Sequence, residues 1–132
     1  MIGELPENIM DALFEAMPLD ISILDADDKV IGYNKHESRI FKRPKSVIGK
    51  DVRNCHPQKS LDKVEQIISD FKSGERDKAR FWIDLTIEDE TKKVLIEYYA
   101  LRDEDGTYLG CLEASQDITD IQSLSREKRL LD

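Results

Sequence analysis

ARFWIDLTIEDETKKVLIEYYALRDEDGTYLGCLEASQDIT, residues 79–119, decides the fold, because nearly all of it reads as strand. Phe81, Ile83, Leu85 and Ile87 alternate with Arg80, Trp82, Asp84 and Thr86. That is the period-two pattern of a strand with one face in a core. Further along, Val94, Ile96, Tyr98 and Ala100 point one way, while Leu95, Tyr99 and Leu101 point the other and flank Glu97. Asp103-Glu104-Asp105-Gly106 is a tight turn into a third strand over residues 108–115. Strands joined so closely pair antiparallel. Their second face is apolar too, so it needs a cover: the first helix, a partner subunit or both.

Upstream, Ser60 is read as the cap of a helix with Leu61, Val64, Ile68 and Phe71 on one side and Gly74 just past its end. Residues 35–57 show no long period and suit small helical pieces, among them HESRIF, broken by Pro44, Gly49 and Pro57. Residues 20–25 and 29–34 are short β-leaning runs around an Ala26-Asp27-Asp28 turn, which makes a hairpin. At the start, Pro6 suits the first position of an amphipathic helix carrying Ile9, Leu13 and Ala16, widened by Met10, Phe14 and Met17 and ended by Pro18. Near the end, Ile121, Leu124 and Leu131 fall at coiled-coil spacing and predict an exit helix. This order implies an α+β domain with helices gathered on one face of an antiparallel sheet. The division expected is a cap helix over residues 1–18, a core over 19–118 and a C-terminal helix over 119–132.

Composition narrows the function. The chain has 132 residues, enough for one core, and a net charge of −8 from 20 basic and 28 acidic residues. An acidic surface repels nucleic acid and anionic lipid, so neither is expected as a partner. Cys55 and Cys111 form no CxxC pair, and with His36 and His56 as the only histidines there is no zinc framework. Sparse cysteine and an acidic start without a long apolar run predict a cytoplasmic protein, alone or as a module of something longer. No P-loop, GxGxxG, HExxH or GxSxG is present, and no enzyme is expected.

The order of elements resembles a PAS domain. Residues 20–25 and 30–34 resemble the family's opening hairpin, and KSVIGKDVRNCHP resembles the segment leading into its long helix. YYALRDEDGTYLGCLEASQDIT resembles its last two strands, closed by the Asp117-Ile118-Thr119 triplet that joins a PAS core to an output helix. IFKRPKSVIG, RNCHPQKS, DFKSGERDKARFWI and QDITDIQSL are similar to the C-terminal PAS module of bacterial and archaeal hemerythrin-domain-containing proteins of unknown function. The resemblance implies a five-stranded antiparallel sheet with small helices on one face, flanked by N-terminal and C-terminal helices. It carries no di-iron chemistry, because the clustered ligands of an upstream helical domain are absent from this sequence.

Three sets of residues are then candidates. Tyr33, Phe41, Ile83, Tyr98 and Cys111 are expected to line a pocket, with Arg43, Arg53, Cys55 or His56 at its polar end and a cation there to grip an anionic group. The same positions fit a filled core in which Tyr98 and Cys111 only pack. Haem stays an alternative through His56 or Cys55, although the following helix, SLDKVEQIISDF, holds no histidine. Flavin is not expected. The photosensing PAS relatives that RNC resembles place their cysteine three residues after the equivalent glycine, whereas Cys55 falls six after Gly49. The paired asparagines with which those relatives read the ring are missing too. Gln116, Asp117 and Thr119 are the expected relay, with Asp117 or Thr119 capping the exit helix. Ile9, Leu13, Phe14, Trp82, Tyr99, Ile121 and Leu124 are the expected homodimer interface. The reading is a sensory and dimerisation module in signal transduction. It would take a small ligand, or an upstream or output domain, as partner. A purely structural interaction module is the first alternative and a haem-based redox or gas sensor the second.

Overall fold

The computed structural model describes residues 1–132. A helix α1 (Glu7–Ala16) leads into a hairpin of β1 (Asp20–Asp25) and β2 (Val30–Tyr33). Two 3-10 turns, Lys45–Val47 and Val52–Cys55, precede α2 (Gln58–Ser73). Then come β3 (Lys78–Ile87), β4 (Glu90–Arg102) and β5 (Tyr108–Asp117). The five strands form one antiparallel sheet in the order β2-β1-β5-β4-β3, so the last strand sits in the middle. A central β5 follows from its sequence: Cys111, Ala114 and Ser115 are buried, and small side chains let both neighbours approach.

The register sorts every strand into an inner and an outer face. Leu24 pairs with Cys111 and Cys111 with Ala100, whereas Ile23 pairs with Leu112 and Leu112 with Tyr99. The inner row meets α2, whose Val64, Ile67, Ile68 and Phe71 are buried against Leu24, Val94, Ile96 and Cys111. Phe71, Val94 and Cys111 have no exposed surface at all. Gly74 ends α2 in the left-handed conformation, at φ 84°, which a side-chain-bearing residue adopts only with strain.

Some expectations shift. Pro57, not Ser60, stands before α2, and Ser60 lies in its first turn with Oγ donating to the Pro57 carbonyl at 3.1 Å. Proline's fixed φ pre-sets the entry three residues early. Pro6 likewise sits one residue before α1. HESRIF is a turn, because Asn34 and Arg39 spend hydrogen bonds on Ile21 and Ser22 of β1, tying that loop to the sheet. The exit helix over residues 119–132 is replaced by one 3-10 turn, Ile121–Ser123. Leu124, Leu130 and Leu131 stand 77, 76 and 95% exposed. A segment this short, with no surface to bury its leucines, lacks the packing that makes a helix stable.

Candidate functional site

A row of polar groups crosses the centre of the inner face. Ser22 on β1 lies opposite Glu113 on β5, and Glu113 lies opposite Tyr98 on β4. Over this row the loop after β2 lowers two arginines. Arg43 donates through Nε to Ser22 Oγ at 3.1 Å and through its NH2 group to both Glu113 oxygens at 3.4 Å. Arg39 donates to the same Ser22 Oγ at 3.1 Å and to the carbonyls of Ile21, Asn34 and Phe41 at 2.9–3.0 Å. Arg39, Arg43 and Glu113 are only 4, 9 and 8% exposed, so three charges are held inside the domain. That is tolerable because they are opposite in sign and hydrogen-bonded.

Burial, then the neighbouring Arg43 cation, lowers the pKa of Arg39, while Asp20 and Glu113 act the other way. Asp20 itself accepts the Ile40 N–H at 2.7 Å and pins the loop to β1. Burial pushes the Tyr98 hydroxyl far above its ordinary range, and the Glu113 and Cys111 side chains add to this. Tyr98 therefore stays a neutral hydrogen-bond donor beside the carboxylate. His56, just after the second 3-10 turn, donates from Nδ1 to the Val52 carbonyl at 3.1 Å and brings Nε2 to 3.9 Å from Glu113.

Of the expected pocket residues, Arg43, His56 and Tyr98 meet at this site. Tyr33, Phe41, Cys55, Ile83 and Cys111 pack around it in the core. Burial, with Glu113 and Asp28, pushes the Cys111 thiol up to about 12, so no thiolate is offered there at neutral pH. Arg53 stands apart. It binds Asp28 and Asp51 at 3.1 Å and Glu65 at 3.0 Å, and this clamps the hairpin turn to α2 together with Lys72. Three carboxylates already occupy its guanidinium, which leaves it no part in gripping an anion at the site.

Haem does not fit these side chains. The Nδ1 bond of His56 to the Val52 carbonyl would suit an axial histidine. Its Nε2, however, points at the Glu113 carboxylate, 3.9 Å away in a side chain only 12% exposed, and not into a space that a macrocycle could enter. Cys55 directs its thiol at the Asp51 carbonyl, 3.8 Å away. No group of three or more His, Cys, Asp or Glu side chains is placed to hold a metal ion.

Glu113, Ser22, Arg39 and Asn34 were not among the expected site residues. Glu113 was within reach: with Cys111 facing inward, period two puts Glu113 inward as well, and an inward carboxylate needs a cation. Ser22 shares its face with Leu24 by the same rule. Arg39 and Asn34 come from a loop without a period and carry no such signal.

The expected relay residues staple strands instead of capping a helix. Thr119 Oγ1 accepts the Lys93 N–H at 3.0 Å and the Ile118 N–H donates to the Lys93 carbonyl at 2.8 Å. Asp117 in turn accepts from the hydroxyl and backbone N–H of Thr119. Gln116 pairs with Leu95 on the outer face. The reason is geometric, since β5 runs on beside β4 to Asp117 and its next residues still meet that strand. The Thr119 hydroxyl, then its N–H, hold the Asp117 carboxyl below its ordinary pKa. The contribution of this staple is thus complete above the unfolded value of about 3.9 and lost as pH falls through the lower folded value. The Thr119 amide resonance is expected to hold steady down to about pH 4 and to move below it; a midpoint well above about 4 would contradict the staple.

The outer face is open. Ile9, Leu13, Trp82, Ile121 and Leu124 are exposed by 43–77%, while Phe14 and Tyr99 are half-buried, Tyr99 through a 2.7 Å hydrogen bond to Glu97. One groove of about 230 Å³ lies between α1 and β1–β2, lined by Phe14, Ile21, Ile23 and Tyr33. Another of about 290 Å³ runs between Trp82, Leu95 and Gln122. No residue of α1 is buried, so the cover that the apolar outer face calls for is incomplete within one chain. No helix is long and apolar enough to cross a membrane.

A five-stranded antiparallel sheet with α2 and two 3-10 turns on its inner face, α1 along the outer face and a buried polar site under the loop after β2 defines a class of α+β domain. Over residues 10–119 the sequence matches the family described as PAS domain, and the chain belongs to it. Similar in structure and sequence is a C-terminal domain from Streptococcus mutans, 34% identical, with a TM-score of 0.84 over 95% of this chain and 94% of that one. The PAS domain of Bordetella pertussis BvgS is 19% identical at a TM-score of 0.63, covering 85% of each chain. A sensory box sensor histidine kinase from Vibrio cholerae is 19% identical at 0.60, covering 85% of this chain and 90% of that one. These last two share the fold. No curated protein sequence matches the chain. PAS domains are sensory modules of signal transduction and generally not enzymes.

Proposed function

We propose that this domain is a sensory and dimerisation module that takes a small anionic ligand at the Arg43–Glu113–His56 site and passes its occupancy along β5 to the C-terminal segment. The observation that carries the reading is the slack in a buried ion pair. Both Arg43–Glu113 contacts are 3.4 Å, against about 2.7–2.9 Å for a strong charge-assisted bond, and His56 stands 3.9 Å off. A ligand carboxylate or phosphate that offers Arg43 shorter bonds takes Glu113's place. Glu113 and Asp117 lie on the same face of β5, so a shift of that strand reaches the Thr119 staple directly. The exposed apolar groups of α1, Trp82 and the tail supply the surface for a second copy. The segments that resemble hemerythrin-associated modules make such a domain the proposed upstream partner.

A second reading has an observation of its own. Phe71, Val94 and Cys111 are fully enclosed, and the two grooves open on the outer face. That favours a structural dimerisation module with a filled core. Native mass spectrometry beside a denatured spectrum separates the two. A dimer carrying extra mass that is lost on denaturation, and lost also from Arg43→Met, is the expected result. A bare dimer favours the structural module, and a bare monomer contradicts dimerisation of this chain.

A further inference from the structure

The helix α1 has no buried residue, yet its end is fastened to the domain by two hydrogen bonds. Asn34 donates from Nδ2 to the Phe14 carbonyl at 2.6 Å, and the Lys35 N–H donates to Glu15 Oε2 at 2.9 Å. Asn34 is 2% exposed and fully employed. Its Oδ1 accepts the Ile21 N–H at 2.7 Å, and its Nδ2 also donates to the Leu19 carbonyl at 3.0 Å. Such an amide cannot turn without breaking several bonds at once, so whatever positions it also positions α1.

Beside these bonds to β1 and its entry, the arginine pair braces Asn34 from the loop side, Arg39 also reaching its Oδ1 at 3.5 Å. The Asn34 carbonyl accepts from Arg39 at 3.0 Å, Arg39 donates to Ser22 Oγ at 3.1 Å, and the same oxygen accepts from Arg43, the partner of Glu113. Two guanidinium donors fill the acceptor capacity of one hydroxyl, which couples the two arginines through it. Ser22 is 2% exposed, so water does not replace a lost bond. We infer that a buried hydrogen-bond chain, Glu113–Arg43–Ser22–Arg39–Asn34, latches the N-terminal helix, and that loosening Arg43 from Glu113 releases α1. The signal then leaves at the N-terminal end of the chain, in addition to any shift of the Thr119 staple. The sensory meaning of the latch rests on the ligand reading of the Arg43–Glu113 site. The latch itself is tested without any ligand.

Hydrogen exchange of the full chain reads it. Glu113→Gln keeps the shape and removes the charge that holds Arg43. It is expected to speed exchange of the amides in residues 7–17, which open locally, by about threefold or more. Those of residues 64–71 in α2 speed only by the factor that the loss of global stability, read from urea unfolding of the same variant, accounts for. In a Ser22→Ala background the same substitution is expected to add nothing further, because the shared oxygen is gone. Asn34→Asp, which keeps the Oδ1 acceptor and loses both Nδ2 donors, is expected to speed α1 exchange further, leaving only the Lys35–Glu15 bond to hold the helix end. The latch is overturned if α1 exchange ignores Glu113→Gln, if the effect persists in full without Ser22, or if the α1 change vanishes under conditions where exchange by global unfolding is suppressed. The native mass spectrum is independent of all three, so failure of the latch and failure of the ligand reading are told apart.

Discussion

Gly110→Ala is expected to destabilise the domain more than alanine at any other glycine. A Cβ at this position stands 2.0 Å from the Leu24 carbonyl oxygen, on a backbone at φ +157°. The obstacle is backbone and not a side-chain end, so relief means pulling β1 from β5 where Asp25 pairs with Gly110. That opening exposes the Leu24–Cys111 pair beside it. A loss of about 3 kcal/mol or more is expected, a large share of the 5–15 kcal/mol typical of a domain. Calorimetry is expected to show a fall in Tm of about 10 °C or more. Gly106→Ala is the control: φ is +82° but nothing lies within 4 Å, so the penalty is conformational only, about 1–2 kcal/mol. Equal falls in the two variants would refute the steric account.

Glu113→Ala is expected to cost about 3–5 kcal/mol, since it leaves the Arg43 cation buried and unpaired. Arg43 and Glu113 side chains are 9 and 11% exposed, so water does little to rescue either. Removing both charges behaves differently. Arg43→Met with Glu113→Leu is expected to return most of the stability, because a buried pair and a well-packed apolar pair are of similar worth. Urea unfolding of the two single variants and the double variant measures this. A Glu113→Ala protein with the parent midpoint would show that water already reaches the pair. A double variant no better than Glu113→Ala would show that Ser22 and His56 depend on the charges. Near-parent stability in the double variant marks the pair as kept for something other than stability.

The sheet was legible wherever one face is buried. Phe81, Ile83 and Leu85, or Val94, Ile96 and Tyr98, announce their strands by alternation, and Gly74 and Pro57 bound α2 through backbone restrictions that travel with the residue. The C-terminal helix was overread because heptad spacing describes a face that could pack, not one that does. Ile121, Leu124 and Leu131 find no partner within the chain. The site was half legible. His56, Arg43 and Tyr98 stood out by type and by resemblance, whereas Arg39 and Asn34 lie in an aperiodic loop and Arg53 was drawn away by Asp28, Asp51 and Glu65.

By itself the sequence determined the α+β class, four of the five strand boundaries to within about two residues, and the PAS relationship. Those depend on local propensity and on the periods of helix and strand, which neighbouring residues are enough to express. Only the tertiary structure decided that β5 lies at the centre, that Ser22, Glu113 and Tyr98 form one row, and that two loop arginines cover it. Pairing of residues 22 with 113 and 43 with 113 spans most of the chain. Such contacts are selected by the closure of the whole core and by the demand that each buried charge find its opposite, and neither condition is written in any one stretch of residues.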